Sequence, residues 1–369
     1  MLACCALPLA LLVAAGSATA QVPARLTPAE FGTLVGRLSE RGGFFDTDNL
    51  VSNEDSYLHA ISGLERHGVR GGAYLGVGPD QNFSYIAAIR PRVAFIIDIR
   101  RDNLLEQLLF KALFHQARSR VEFLCLLFGR TPPADTVGWG ARDLEALLGY
   151  VTRAPPDSLA AARARRLVRA LVPELGIPLS AEDRATVERF HRTFIAEGPE
   201  LKLTTFGRGE RFDYPTYGRL LLETDRGGRR ANYLAREPDF QFVKALEERN
   251  LVVPVVGDLA GPRAMTAIGR YLTERGERVS AFYTSNVEQY LFRGDTFARF
   301  AGNVEALPHD ERSVLIRSYF PYGRPHPQAV PGYLSVQLLQ TFGAFLGAQR
   351  ASGFRSYGDL VTRDLLPPR

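Results

Sequence analysis

Ala73-Tyr74-Leu75-Gly76-Val77-Gly78-Pro79 and Val93-Ala94-Phe95-Ile96-Ile97-Asp98 are the two runs whose reading decides the fold. Neither alternates apolar with polar residues. Continuous runs of this kind suit strands buried on both faces, as in a parallel sheet covered by helices. Between them, Asn82 to Ile89 has a helical pattern, so the three segments form a β-α-β unit. Asp102 to His115 then carries Leu104, Leu105, Leu108, Leu109, Ala112 and Leu113 at helical spacing, which predicts a helix returning across the sheet.

Beyond this unit, from Ser119 to about Glu237, helical stretches are broken at Thr131-Pro132-Pro133, Ala154-Pro155-Pro156 and Gly198-Pro199. They predict a mainly helical insertion, with Phe206 to Tyr233 as loop and room for a short hairpin. Alternation then resumes: strand Leu251 to Gly257, helix Pro262 to Arg275, strand Val279 to Thr284, helix Val287 to Phe292 and strand Ser313 to Phe320. Right-handed crossovers make the economical assembly an α/β fold, a doubly wound, mostly parallel Rossmann-like sheet with a helical insertion. The expected divisions are a leader over 1–20, N-terminal helices and the first βαβ half over 21–118, the insertion over 119–237, and the second half with a C-terminal helix over 238–369.

The leader reading rests on Leu2 to Ala15, which is almost wholly apolar, followed by the small-residue triplet Ala18-Thr19-Ala20. This is the pattern of a signal peptide cleaved after Ala20, and it predicts an exported chain, periplasmic or secreted. Cys4, in Leu2-Ala3-Cys4, offers a lipoprotein as the lesser alternative; the apolar core follows the cysteines instead of preceding them, which favours cleavage. No later run reaches membrane-spanning length, so no stable membrane insertion is expected once the leader is gone. Of the three cysteines only Cys125 would remain, in the apolar run Phe123 to Leu127, where it reads as a small buried hydrophobe.

Hydrophobic residues at 46% and charged residues at 23% are ordinary for a globular protein. The net charge of +5 includes Arg163, Arg165, Arg166 and Arg169 on an Ala-rich helical stretch. Without interleaved aromatics this reads as a solvated face, and no nucleic-acid partner is expected. The six histidines are scattered, so no zinc site is expected. The chain has no Gly-x-Ser-x-Gly elbow and no phosphate-binding Walker loop. Nothing in the pattern indicates an oligomeric state.

In open α/β sheets, ligands lie beyond the carboxyl ends of the strands. The predicted strands end in Gly76-Val77-Gly78, Asp98, Gly257-Asp258-Leu259 and Thr284-Ser285-Asn286. Glycines there allow close approach to the backbone, and an acid at the second strand end can accept ribose hydroxyls. A small-molecule ligand is the expected partner. A second acid- and amide-dense segment, Asp46 to Glu54, precedes the first strand. It lacks the glycine and terminal glutamate spacing of a calcium loop. Ser52 with Asp55 reads as a capping box for a helix through about Glu65, while Asp46, Asp48, Asn53 and Glu54 are also candidates for a segment closing over the crevice.

The run Ala73 to Asp98, with Gly257-Asp258 and Thr284-Ser285-Asn286, resembles the Rossmann-like class I S-adenosylmethionine-dependent methyltransferases. Gly43-Phe44-Phe45-Asp46-Thr47-Asp48-Asn49 and Gly76 to Phe83 further resemble an uncharacterised bacterial family of that fold. The likeness covers the sheet-forming half of the chain. It implies S-adenosylmethionine as cofactor, with Gly76 and Gly78 facing its methionine part, Asp98 its ribose and Asp258 its adenine. Asn286 would stand near the transferred methyl, with Asn286 or Asp46 orienting an acceptor in the catalytic roles. Two positions depart from that pattern: Tyr74 stands where the family has an acid, and Asp80 replaces the third loop glycine. The Asp80 carboxylate would either receive a cationic group of the ligand or cap the following helix. Export would part the protein from a cytosolic cofactor, so a noncatalytic exported binding or envelope-associated role stands beside methyl transfer to an unknown acceptor.

Overall fold

The computed structural model describes residues 21–207, 211–294, 296–321 and 325–368. Its frame is a six-stranded sheet of Ala73–Gly76 (β1), Val93–Asp98 (β2), Val252–Val256 (β3), Val279–Ser285 (β4), Val314–Tyr319 (β5) and Val336–Thr341 (β6). The order across the sheet is β3-β2-β1-β4-β5-β6. The first five strands are parallel, and β6 runs antiparallel to β5 at one edge. This is the order of a doubly wound α/β sheet, and an antiparallel edge strand is a common addition to it.

The strands read from sequence recur with shifts of one or two residues at their ends, and Val93–Asp98 recurs without a shift. The reason lies in burial: nearly every strand residue is buried, so both faces of the sheet are covered and the runs stay apolar. Pro254 sits inside β3 because β3 is an edge strand, with no neighbour on one side to need the missing N–H. Among the described strands, β6 is the one missing from the sequence reading. Its Gln337 and Gln340 interrupt the apolar pattern, yet both are buried because each bonds a charged partner's network inside the protein.

The stretch read as an insertion is mainly helical, with helices Arg120–Phe128, Leu144–Arg153, Ser158–Leu171 and Ala181–Glu197. The last two pack on the helix Arg101–Gln116 that leaves β2. Rings join the insertion to the sheet: Phe114 lies 5.2 Å from Phe83 and 4.6 Å from Phe123, centroid to centroid. One apolar cluster therefore runs through the strands, their helices and the insertion. Cys125 belongs to it, and burial pushes its thiol up to about 12, so it packs and does not react. No described helix is long and apolar enough to cross a membrane.

The capping box expected at Ser52 and Asp55 does not form. Ser52 Oγ accepts from the Glu54 amide, and Asp55 accepts the amides of Leu334 and Ser335 instead. The chain from Tyr57 is a 3-10 turn that leads into the short helix Ile61–Arg66. Asp55 thus ties the leading segment to the loop before β6, and the helix begins later than its sequence signal.

Candidate active site

Parallel strands send their carboxyl ends to one edge, and here that edge opens into a cavity of about 240 Å³. Val77 and Gly78 follow β1, Asp98 ends β2, Gly257 and Asp258 follow β3, and Ser285 and Asn286 close β4; all of them line it. Gly78 holds a φ of +83°, which a side chain would strain, and a Cβ there would meet nothing nearer than 3.5 Å. Its carbonyl is fixed by Asn103 Nδ2 at 2.8 Å. The loop is therefore rigid and bare toward the cavity.

The cavity is roofed by a two-stranded ribbon. Thr47 pairs with Thr205 in antiparallel fashion, the Phe206 amide donates to the Asp46 carbonyl at 2.8 Å, and the Asp48 amide donates to the Thr204 carbonyl at 3.0 Å. Phe45, Thr47, Leu203, Thr205 and Tyr214 turn its inner face to the cavity. Arg100 fastens this ribbon to the sheet: Nη1 donates to the carbonyls of Thr47 and Asp48, while Nε and Nη2 grip Asp98 at 3.1 and 2.8 Å.

Of the residues singled out in sequence, Gly78, Asp98, Asp258 and Asn286 line the cavity from the strand ends and Asn53 and Glu54 line it from the leading segment, whereas Asp48 does not line it. Asp98 is not a free carboxylate, since Arg100 holds it through its backbone N–H and its guanidinium; Oδ2 accepts only one of these bonds among the described residues and keeps a lone pair. Asp258 Oδ1 accepts from the Ala260 amide at 2.8 Å, closing a local turn. Gly76, Asp80 and Asp46 do not line the cavity. At Gly76 an added Cβ would stand 1.9 Å from Asn82 Oδ1 and 2.7 Å from the Tyr74 hydroxyl, so that glycine leaves room for neighbouring side chains. Tyr74, found where an acid was expected, donates to Asn82 Oδ1 at 2.7 Å, and Asn82 Nδ2 in turn ties down the carbonyls of Val77, Gly78 and Pro79.

Asp80 turns away from the cavity and does not cap its helix. It accepts from Tyr217 at 2.6 Å and Tyr233 at 3.4 Å, both contributed by the far end of the insertion. Burial raises its carboxyl to about 6 despite these two hydroxyls. Glu106, on the helix after β2, is held well above the carboxylate range by burial and by the charge of Asp80. Arg317 is fully buried between Glu288 and Gln340 and so braces β5.

Glu54 is the cavity residue whose standing changes most. It is 2% exposed and lines the floor. Its carboxylate accepts from the hydroxyls of Tyr283, Ser285 and Ser318 and from Gln337 Nε2 at 3.1 Å. Burial raises its carboxyl, and the four hydrogen bonds pull it back only in part. Ser285 holds a φ of +55°, a left-handed conformation that costs a residue with a side chain roughly 1–3 kcal/mol.

Taken together, Glu54, Asp98 and Asp258 set three carboxylates against one guanidinium, that of Arg100, among the described residues of the wall. Such a wall attracts cations and repels phosphates. Pro79 adds to this, because it removes one backbone N–H where a pyrophosphate would seek donors.

A family model described as "Domain of unknown function (DUF7790)" matches residues 50–132 and 191–362. The two matched stretches include β1 to β6, and the break between them falls inside the insertion. No curated protein matches the chain.

The raised carboxyl of Asp80 has a consequence for stability. It titrates at about 3.8 in the unfolded chain and about 6 in the folded one, so between those values unfolding releases a proton and stability falls as pH rises. An Asp80→Asn variant is expected to flatten that fall, read as urea midpoints across this window. An unchanged slope would show that Asp80 does not titrate as its burial requires.

Proposed function

Because the chain belongs to the DUF7790 family, a family whose description assigns no activity, we propose its function from the cavity: it binds S-adenosylmethionine, as a methyltransferase-like, Rossmann-like protein, and transfers a methyl group to a small acceptor. The observation that carries this reading is the convergence of Gly78, Asp98, Asp258 and Asn286 on one acid-dominated cavity. That balance suits a ligand bearing a sulfonium and an ammonium better than a dinucleotide with its pyrophosphate.

The residues present fit the cofactor in the following way. Gly78 leaves the backbone bare for the amino-acid end of the ligand. The remaining lone pair of Asp98 Oδ2 suits a ribose hydroxyl, with Arg100 keeping the carboxylate oriented. Asp258 Oδ2 bonds no described residue and suits the adenine amino group. Ile97, Ile99, Leu259 and Leu291 supply apolar wall for the base. S-adenosylmethionine, when bound, supplies an electrophilic sulfonium methyl. The protein's part is to hold an acceptor in line with it and to exclude water beneath the ribbon, and positioning of this kind lowers barriers by up to about 7–11 kcal/mol. Asn286 stands at the end of β4, where it can orient that acceptor.

Calorimetric titration of the protein with S-adenosylmethionine and S-adenosylhomocysteine tests this. Both are expected to bind, and Asp98→Ala to weaken each by about tenfold or more through loss of its hydrogen bonds. Absence of heat for both ligands would end the reading. The leader-like run Leu2 to Ala15, which lies outside the described residues, favours a second reading, that of an exported binding protein without transfer. Fusing residues 1–25 to a reporter active only outside the cytosol separates the two: reporter activity supports export, and a silent fusion removes the reason for preferring a noncatalytic role.

A further inference from the structure

Unlike Asp98, Glu54 has no ion-pair partner among the described residues, and unlike Asp258 it is buried. Its four donors, Tyr283, Ser285, Ser318 and Gln337, are all neutral. They come from β4, β5 and β6, so every neighbouring strand offers it hydroxyl or amide groups only. Among the described residues, the titratable groups on which its charge acts include Tyr74, Tyr85, Tyr283 and Tyr357. A buried carboxylate in such surroundings is expensive unless it takes up a proton or meets a positive ligand.

The distribution of the four bonds shows where that ligand would sit. Oε2 accepts from Tyr283, Ser318 and Gln337, whereas Oε1 accepts only from Ser285 among the described residues. One lone pair on Oε1 therefore remains, in a residue that forms part of the cavity wall. Two more acceptors await donors in the same cavity: Gln81 Oε1 and Thr47 Oγ1 are buried and have no partner among the described residues. Gln81 is joined to Glu54 through Tyr283, whose hydroxyl accepts from Gln81 Nε2 at 3.2 Å and donates to Glu54. Phe45 and Tyr290, edge to face at 4.9 Å, add aromatic rings to the wall. Unfilled acceptors, an uncompensated carboxylate and aromatic rings are together the surroundings that recognise an ammonium, which carries donors and no acceptor. Ser285 keeps its strained backbone where its hydroxyl meets Oε1, so this corner is held in place at a cost.

We infer that the acceptor taken up beside S-adenosylmethionine is an amine, bound as its ammonium against Glu54 and Gln81, and that Glu54 is the catalytic residue that receives its proton. This rests on the cofactor reading above. In the proton step an N–H bond of the ammonium breaks, an O–H bond forms at Glu54 Oε1, and the electron pair stays on nitrogen. The resulting neutral amine has the lone pair that a methyl acceptor needs, and the ammonium itself has none. Burial raises the Glu54 carboxyl, which makes it a stronger base than an exposed carboxylate for this task.

The test uses two adenosyl ligands. S-adenosylhomocysteine is an uncharged thioether at the transfer position, and sinefungin carries an ammonium where S-adenosylmethionine carries its methyl. Wild-type protein is expected to bind sinefungin about tenfold or more tightly than S-adenosylhomocysteine, and Glu54→Gln to lose that preference while binding S-adenosylhomocysteine as before. The wild-type preference for sinefungin is a readout that does not depend on how the variant folds. Equal affinity of wild-type protein for the two ligands, or an intact preference in Glu54→Gln, overturns the role of Glu54 and leaves the cofactor reading standing. Failure of wild-type protein to bind either ligand overturns both.

Discussion

A parallel sheet has no choice about where its strands finish: all of their carboxyl ends lie along one edge, and whatever residues follow them become neighbours there. In this protein that constraint gathers Gly78, Asp98, Asp258 and Asn286, which are far apart in the chain, around a single cavity. The apolar interior serves the same end. Because helices bury both faces of β1 to β4, the strands have no freedom to slip, and the polar groups at their tips are set in fixed relation.

Charge then decides what such an edge accepts. Arg100 does two things at once, neutralising Asp98 and holding down the ribbon that carries Thr47 and Asp48. With that cation committed, Glu54 and Asp258 leave the cavity acidic. Burial makes the difference between the carboxylates. Glu54 sits among hydroxyls in the floor, whereas Asp98 is paired, and Asp80 has been drawn out of the site by two tyrosines of the insertion. Groups of one chemical type thus take separate roles through their surroundings alone.

Much of the frame was legible before any coordinates. Val93 to Asp98 is apolar without alternation because both faces are covered, and the period of Leu104 to Leu113 places its helix. Strand ends were legible for the same reason, so Gly78, Asp98, Asp258 and Asn286 were named from the chain and met at one wall. What escaped was set by contacts across long stretches of sequence. The donors to Glu54 lie between 229 and 283 residues away, so its short local pattern gave only a weak signal. Asp80 looks like a helix cap until Tyr217, 137 residues on, is seen to claim it. Gly76 looks like a ligand glycine, yet the space it leaves is filled by Asn82 and Tyr74. The left-handed turn at Ser285 has no glycine or asparagine at that position to announce it. In β6, buried glutamines that serve Arg317 and Glu54 hid a strand.

The most direct measurement is a crystal structure of the protein grown with saturating S-adenosylhomocysteine. The ligand is expected between Gly78, Asp98 and Asp258, with its ribose at Asp98, its base toward Asp258 and its sulfur on the side of Ser285 and Glu54. A cavity that stays empty at saturating ligand, or a ligand seated elsewhere on the protein, would contradict the claim that these strand ends build a nucleoside site.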